Sequence, residues 1–179
     1  MTAARETLKR FTPKRAVFAH HHPGAVHIDL RGQGYVDTMR AAGIPAEILD
    51  ITEDPVKGAE IMVAYLKAHP DCDAIFCSNT LRTETIIPRL KDEGIVPGVD
   101  VKIAQMDMSP AVLDYILKGE IMFTMDQQQY LQGFLGVLFM YLHLKYGFTP
   151  PPAPVSTGPA VITADVIPKL EELVKAGYR

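Results

Sequence analysis

The chain lacks a strong charge of either sign. Its 179 residues carry 18 Lys and Arg against 21 Asp and Glu, a formal net charge of −3. Nucleic-acid binders are usually strongly basic, so this balance argues against nucleic acid as a partner. No run of like charges marks a tail or a polybasic patch. A membrane helix needs about 20 consecutive apolar residues. The longest apolar stretch, Leu131 to Leu144, is shorter, and Lys145 follows directly. It reads as a buried helix. The opening Met1-Thr2-Ala3-Ala4-Arg5-Glu6-Thr7-Leu8-Lys9 has no apolar h-region, so no signal peptide is expected. With Met1 as the true start, the chain is expected in the cytoplasm.

Cysteine is also scarce. Cys72 and Cys77 are the only two and lie five apart. Along a strand that spacing sends them to opposite faces. They are expected as reduced thiols of the core, not bonded to each other.

Catalytic signatures are missing as well. There is no Gly-x-Ser-x-Gly elbow and no phosphate loop. Arg31-Gly32-Gln33-Gly34 has no third glycine at the spacing of a dinucleotide fingerprint. His20, His21 and His22 are consecutive on an extended segment and point different ways, and no His pair sits at i, i+4 in an HExxH pattern. No metal and no cofactor are expected. Asp107 and Asp126 could form a carboxylate pair as in glycosidases, but nothing in the sequence places them together, and Asp107 is equally suited to accept from a hydroxyl. The chain is expected not to be an enzyme.

What is present is alternation, and 47% of the residues are hydrophobic, enough for a real core. Helices are predicted over 2–11, 29–42, 55–68, 81–93, 110–117 and 129–146, with a short one at the carboxyl end. Strands are predicted at 16–19, 46–51, 74–77, 101–104, 121–125 and 161–162. Asp54-Pro55 and Ser109-Pro110 are helix starts, since Asp and Ser cap free N–H groups and Pro is tolerated at the first helical position. The strands are short continuous apolar runs, which calls for burial on both faces. The expected fold is α/β, a parallel sheet flanked by helices on both faces.

Ligands of such sheets bind at the carboxyl ends of the strands. There the sequence places His20-His21-His22 and Arg31, then Ser78-Asn79, Gln105-Met106-Asp107 and Asp126-Gln127-Gln128. Arg, Asn, Asp and Gln are planar groups with two hydrogen-bonding atoms each. That geometry suits the adjacent hydroxyls of a sugar. One such residue would be an ordinary cap or turn residue; four on one rim point to binding.

Several segments then resemble a known family. They are Asp29-Leu30-Arg31-Gly32-Gln33-Gly34-Tyr35, Ala74 to Asn79, Ile103 to Asp107, Asp126-Gln127-Gln128-Gln129-Tyr130-Leu131-Gln132-Gly133 and Thr157-Gly158-Pro159. In order and spacing over residues 2–165 they are similar to the ribose/galactose-type periplasmic solute-binding proteins of bacterial sugar ABC transporters. The resemblance covers the carboxy-terminal lobe only, one lobe of the type I periplasmic-binding-protein-like fold. It implies that Arg31 grips sugar hydroxyls, that Asn79 is the strand-end asparagine, and that Asp107 accepts from hydroxyls. It also implies that Gln127 lies by the hinge and that His22 is a cleft residue. An aromatic ring often found near Glu53 has no counterpart here. The implied activity is non-covalent binding of a monosaccharide for a membrane permease, with the full-length family periplasmic. The alternative is the effector-binding core of a LacI-type transcription regulator.

The resemblance also divides the chain. Residues 1–128 form the carboxy-terminal sugar-binding lobe. Residues 129–152 are an apolar helix and Pro-rich crossover that would pack on an amino-terminal lobe, and 153–179 return to the first lobe. The helix 129–146 is apolar nearly all round and so expects burial on every side. Phe134, Leu138, Phe139 and Leu142 are its interface candidates. The cover would be a second copy in a homodimer, a separately supplied amino-terminal lobe, or the chain's own sheet.

Overall fold

A computed structural model describes residues 1–178. The chain begins with α1 (Thr2–Arg10), β1 (Ala16–His20), α2 (Val26–Ala41), β2 (Ala46–Asp50), α3 (Pro55–Ala68) and β3 (Ala74–Cys77). It continues with α4 (Thr80–Asp92), β4 (Lys102–Met106), α5 (Pro110–Leu117), β5 (Phe123–Asp126), α6 (Gln129–Tyr146) and β6 (Ala160–Ile162). A 3-10 turn at Ile167–Lys169 and α7 (Glu171–Lys175) close it.

The six strands form one sheet in the order β2-β1-β3-β4-β5-β6. The first five are parallel, and β6 runs antiparallel to β5. Strand periodicity divides the buried side chains into two layers. Val17, Ala19, Ile75, Cys77 and Ile103 face α3, α4, α5 and α7 through Met62, Leu66, Ile87, Leu90, Val112 and Val174. Ala16, Phe18, Phe76, Ala104 and Phe123 face α1 and α2 through Ala4, Tyr35, Val36 and Met39. The expected α/β sheet with helices on both faces is therefore present, with an antiparallel edge added by the return strand.

Local chemistry sets the helix starts. Asp54 Oδ1 accepts from the N–H groups of Val56 and Lys57 at 2.9 and 3.1 Å, with Pro55 as first helical residue. Ser109 Oγ accepts from Val112 N at 3.1 Å ahead of Pro110. α3 lies against the chain so closely that a Cβ on Gly58 would sit 2.5 Å from the Ile51 carbonyl oxygen.

Three expectations need correction. α2 starts at Val26, not 29, with Ala25 as its N-cap; Asp29 lies inside the first turn, where its carboxylate pairs with His20 Nε2 at 2.7 Å. β4 runs on to Met106, since Gln105 pairs in register with Thr124 instead of starting a loop. Cys72 and Cys77 do not face opposite ways. Cys72 precedes β3, so strand alternation does not apply, and both lie buried in the same layer as free thiols. Burial pushes both thiols up to about 12, which keeps them protonated and unreactive.

α6 stands apart. The buried helix expected over Leu131 to Leu144 is not found: none of the residues of α6 is buried. Phe134 is 51% exposed and Leu144 84% exposed. Leu138, Phe139 and Leu142 are half-buried, and Phe139 packs on Phe148 with ring centroids 6.2 Å apart. The helix does not lie on the chain's own sheet, so that one of the three expected covers is not realised. No helix of the described residues is long and apolar enough to cross a membrane.

Candidate functional site

The carboxyl ends of β1, β3, β4 and β5 lie on one rim because those strands are parallel neighbours. From β4 and β5 the rim receives Asp107 and Gln127, and α2 adds Arg31. These three form a chain. Arg31 donates through Nη2 to Gln127 Oε1 at 2.8 Å, and Gln127 donates through Nε2 to Asp107 Oδ1 at 2.8 Å. The carboxamide orientation is thereby fixed, because its oxygen must meet the guanidinium and its nitrogen the carboxylate.

Asp107 has φ 75°, in the left-handed region that a non-glycine residue enters at some cost. Its backbone is clamped there. The Asp107 N–H donates to the Met125 carbonyl at 2.8 Å. Its own carbonyl accepts from Gln105 Nε2 at 2.6 Å and from the Thr124 hydroxyl. Gln105 and Thr124 are fully buried and bonded to each other at 2.6 Å. Burial raises the Asp107 pKa, against the lowering effects of the Gln127 bond and the Arg31 charge.

A second group sits on the loops after β1 and β3. Asn79 caps α4 by accepting from Arg82 N at 3.0 Å, and its Nδ2 lies 3.1 Å from His21 Nε2. His21 Nδ1 lies 2.5 Å from Ser78 Oγ. His22 is exposed and pairs through Nδ1 with the Glu53 carboxylate, and the Glu53 carbonyl accepts from Arg82. The three histidines do diverge: His20 meets Asp29, His21 meets Ser78 and Asn79, His22 meets Glu53.

A cavity of about 780 Å³ opens between this rim and α6. Arg31 and Gln127 line it beside an apolar floor of Phe18, Tyr35, Phe76 and Met106, with Leu135, Phe139 and the Pro150–Pro151 stretch opposite. The chain leaves the rim into α6 and returns at Thr157–Gly158. There Thr157 Oγ1 donates to the Gln127 carbonyl at 2.9 Å. A Cβ on Gly158 would stand 2.8 Å from the Asp126 carbonyl oxygen, so only glycine lets the return strand come this close.

The structure thus links Arg31, Gln127 and Asp107 directly, and sets Asn79 and His22 in the adjoining group. Sequence reasoning set His21 and Gln105 on the rim without singling them out, and did not name Thr124. Buried polar residues at strand ends carry a weak sequence signal, since burial and partner are both tertiary facts.

A family model described as a periplasmic binding protein domain matches residues 2–147. The chain belongs to that family. It is 34% identical over 103 residues to the xylose/arabinose-binding protein XylF of Sulfolobus acidocaldarius, a match that covers 56% of this chain and 26% of that protein. Among solved structures it is similar to a carbohydrate transporter from Acidothermus cellulolyticus in complex with myo-inositol, with a TM-score of 0.87 and 21% identity. That match covers 99% of this chain and 60% of the other. A putative LacI transcriptional regulator from Bacteroides fragilis is also similar, with a TM-score of 0.76 and 18% identity over 94% of this chain and 59% of the other. At these identities the solved structures establish the fold alone. The chain spans about 60% of their length.

Proposed function

We propose that this chain is the carboxy-terminal ligand-binding lobe of a sugar-binding protein that serves an ABC transporter permease, and that it binds without catalysing. The observation that carries the reading is the Arg31–Gln127–Asp107 chain at the strand ends, beside a cavity with an apolar floor. It offers donors and an acceptor in fixed positions, and apolar surface for the faces of a sugar ring. Asn79 and His22 extend the polar rim. A relative named for xylose and arabinose favours a monosaccharide, with those two pentoses first in any panel. The family's periplasmic assignment supports a place of action outside the cytoplasm for the full-length form. The LacI-type reading shares the fold, and no feature of the site favours it.

Residues 1–128 and the return segment 153–179 would act as one binding lobe, and 129–152 as the arm that meets a second copy or an amino-terminal lobe through Phe134, Leu138, Phe139 and Leu142. A cleft closed on one side only leaves its hydrogen bonds wet. The isolated chain should therefore bind a sugar in the millimolar range or more weakly, about 4 kcal/mol or less. The test is an NMR titration with xylose, arabinose, ribose, galactose and myo-inositol, following Arg31, Asp107 and Gln127. No perturbation by any of them would sink the proposal, and so would chemical conversion of any of them during the titration. Micromolar binding by a monomer would overturn the half-cleft part.

A further inference from the structure

The hydrogen bonds around His21 fix its protonation state by elimination. The amide N–H of Arg82 can only donate, so the Asn79 atom that caps it at 3.0 Å is Oδ1. That orients the carboxamide and makes Nδ2 the atom 3.1 Å from His21 Nε2. An amide nitrogen also only donates, so Nε2 must accept and the imidazole proton sits on Nδ1, aimed at Ser78 Oγ 2.5 Å away. His21 is therefore held neutral, in one tautomer, from both sides.

The charged groups around it reinforce this. Arg82 faces it from α4, His20 and His22 flank it, and Glu53 faces it from the turn after β2. The α2 carboxylate nearest the run, Asp29, is already taken by His20. Burial first, and then Arg82, outweigh Glu53 and push the His21 pKa down to about 4. Arg82 is itself only 9% exposed and donates to the Glu53 carbonyl, so it is anchored in place beside the ring.

We propose that His21 is a positioning residue that fixes the Asn79 carboxamide for ligand and releases it when protonated, so that the site loses its grip in acid. The inference rests on the reading of Asn79 as a sugar contact. With Oδ1 on the cap and one Nδ2 hydrogen on His21, Asn79 keeps one N–H and one lone pair for a ligand. A sugar hydroxyl can meet either, as acceptor or as donor. A proton on Nε2 would set N–H against N–H. The carboxamide cannot turn over to offer its oxygen without breaking the cap on α4. Protonation of His21 and an ordered Asn79 therefore exclude each other.

Long-range 1H–15N spectra of the full chain test the arrangement without any sugar. The expected result is the Nδ1–H tautomer at pH 7, titration of His21 near pH 4, and a shift of the Asn79 side-chain amide with the same midpoint. An Nε2–H tautomer, or titration at the ordinary histidine value, would overturn the proposal. Xylose and arabinose titrations then follow the consequence. Wild-type affinity should stay level from pH 7 to 5 and drop through pH 4. His21→Leu should bind about fivefold more weakly at pH 7, the effect of one neutral hydrogen bond, with no acid step. His21→Gln, whose carbonyl oxygen can still accept from Asn79, should keep affinity and lose the acid step. If His21→Leu leaves both affinity and the Asn79 amide signals unchanged, the proposal is wrong. Should His21→Leu not fold, the wild-type spectra and His21→Gln still decide. If the tautomer and the coupled titration are found but no sugar shifts Asn79, the sugar reading fails while the positioning of Asn79 by His21 stands.

Discussion

α3 and α6 are both rich in apolar residues, yet they end in opposite surroundings. The 14 residues of α3 bury Gly58, Ala59, Met62, Val63, Tyr65 and Leu66, while the 18 residues of α6 bury none. The difference lies in arrangement. In α3 the buried positions recur at intervals of three and four, a single stripe that one sheet face can cover. In α6 the exposed Tyr130, Phe134, Val137, Met140, Tyr141 and Leu144 form one such stripe, and the half-buried Leu131, Leu135, Leu138, Phe139 and Leu142 form another on a different face, so no single surface covers both. Apolar content says that a helix needs burial; only its distribution says whether its own domain can provide it.

The largest test of this contrast is a pair of truncations read by denaturant unfolding. Met62→Ala, at a fully buried α3 position, should cost about 3 kcal/mol through lost transfer energy and a cavity. Leu144→Ala in α6 should change the same measurement by less than about 0.5 kcal/mol. An equal loss at both positions would show that α6 is packed, and would break the comparison.

The rim sharpens it, because side chains there are ordered by polar bonds. His21 has a folded-state pKa of about 4 against its ordinary 6.5. Between those values the unfolded chain binds the proton and the folded one does not. Stability is therefore full above pH 6.5 and is lost as pH falls toward 4. Because His21 is partly solvated, the loss should be no more than about 2 kcal/mol. The slope of unfolding free energy against pH should flatten in His21→Gln.

Asp107 should show the reverse sign. Its folded pKa is raised by burial, so its contribution is full below the ordinary carboxylate range and declines as pH rises through the folded value. Asp107→Asn should therefore stabilise the chain at pH 7, with the gain vanishing in acid. Asp107→Gly should add about 1 kcal/mol by relieving the left-handed backbone, while abolishing any sugar response. A loss of stability would mean that the Gln127 bond outweighs both terms.

The smallest effect on stability should come from Phe134→Glu combined with Val137→Glu, under about 0.5 kcal/mol because both face outward. Light scattering should nonetheless show the mass falling to that of one chain if α6 pairs copies. An unchanged mass would exclude α6 as the contact between copies.

Much of this was legible in the residues. The alternation of apolar runs and helix signals located every strand to within a few residues, since the parallel strands contain short apolar runs and several helices start at a side-chain cap or end beside a glycine. Arg31, Asp107 and Gln127 could be named because the carboxyl ends of parallel strands share one rim. What could not be read was pairing. Nothing local says that Gln105 is buried against Thr124, or that His21 meets Asn79 across two loops, because such contacts depend on which strands are neighbours. The same gap explains Cys72, assigned to a strand that begins two residues later.

One consequence follows from the way the chain crosses at the end of β5. The outgoing strand at Gln127 and the incoming one at Thr157 lie side by side, tied at 2.5 Å from Gln128 Nε2 to the Thr157 carbonyl and at 2.9 Å from Thr157 Oγ1 to the Gln127 carbonyl. Everything between is an excursion from a single narrow neck. An 18-residue helix is about 27 Å long, so a turn of ten degrees at that neck sweeps its far end through about 5 Å. α6 is in effect the long arm of a lever whose fulcrum sits against Gln127, so whatever holds that glutamine also steadies the tip.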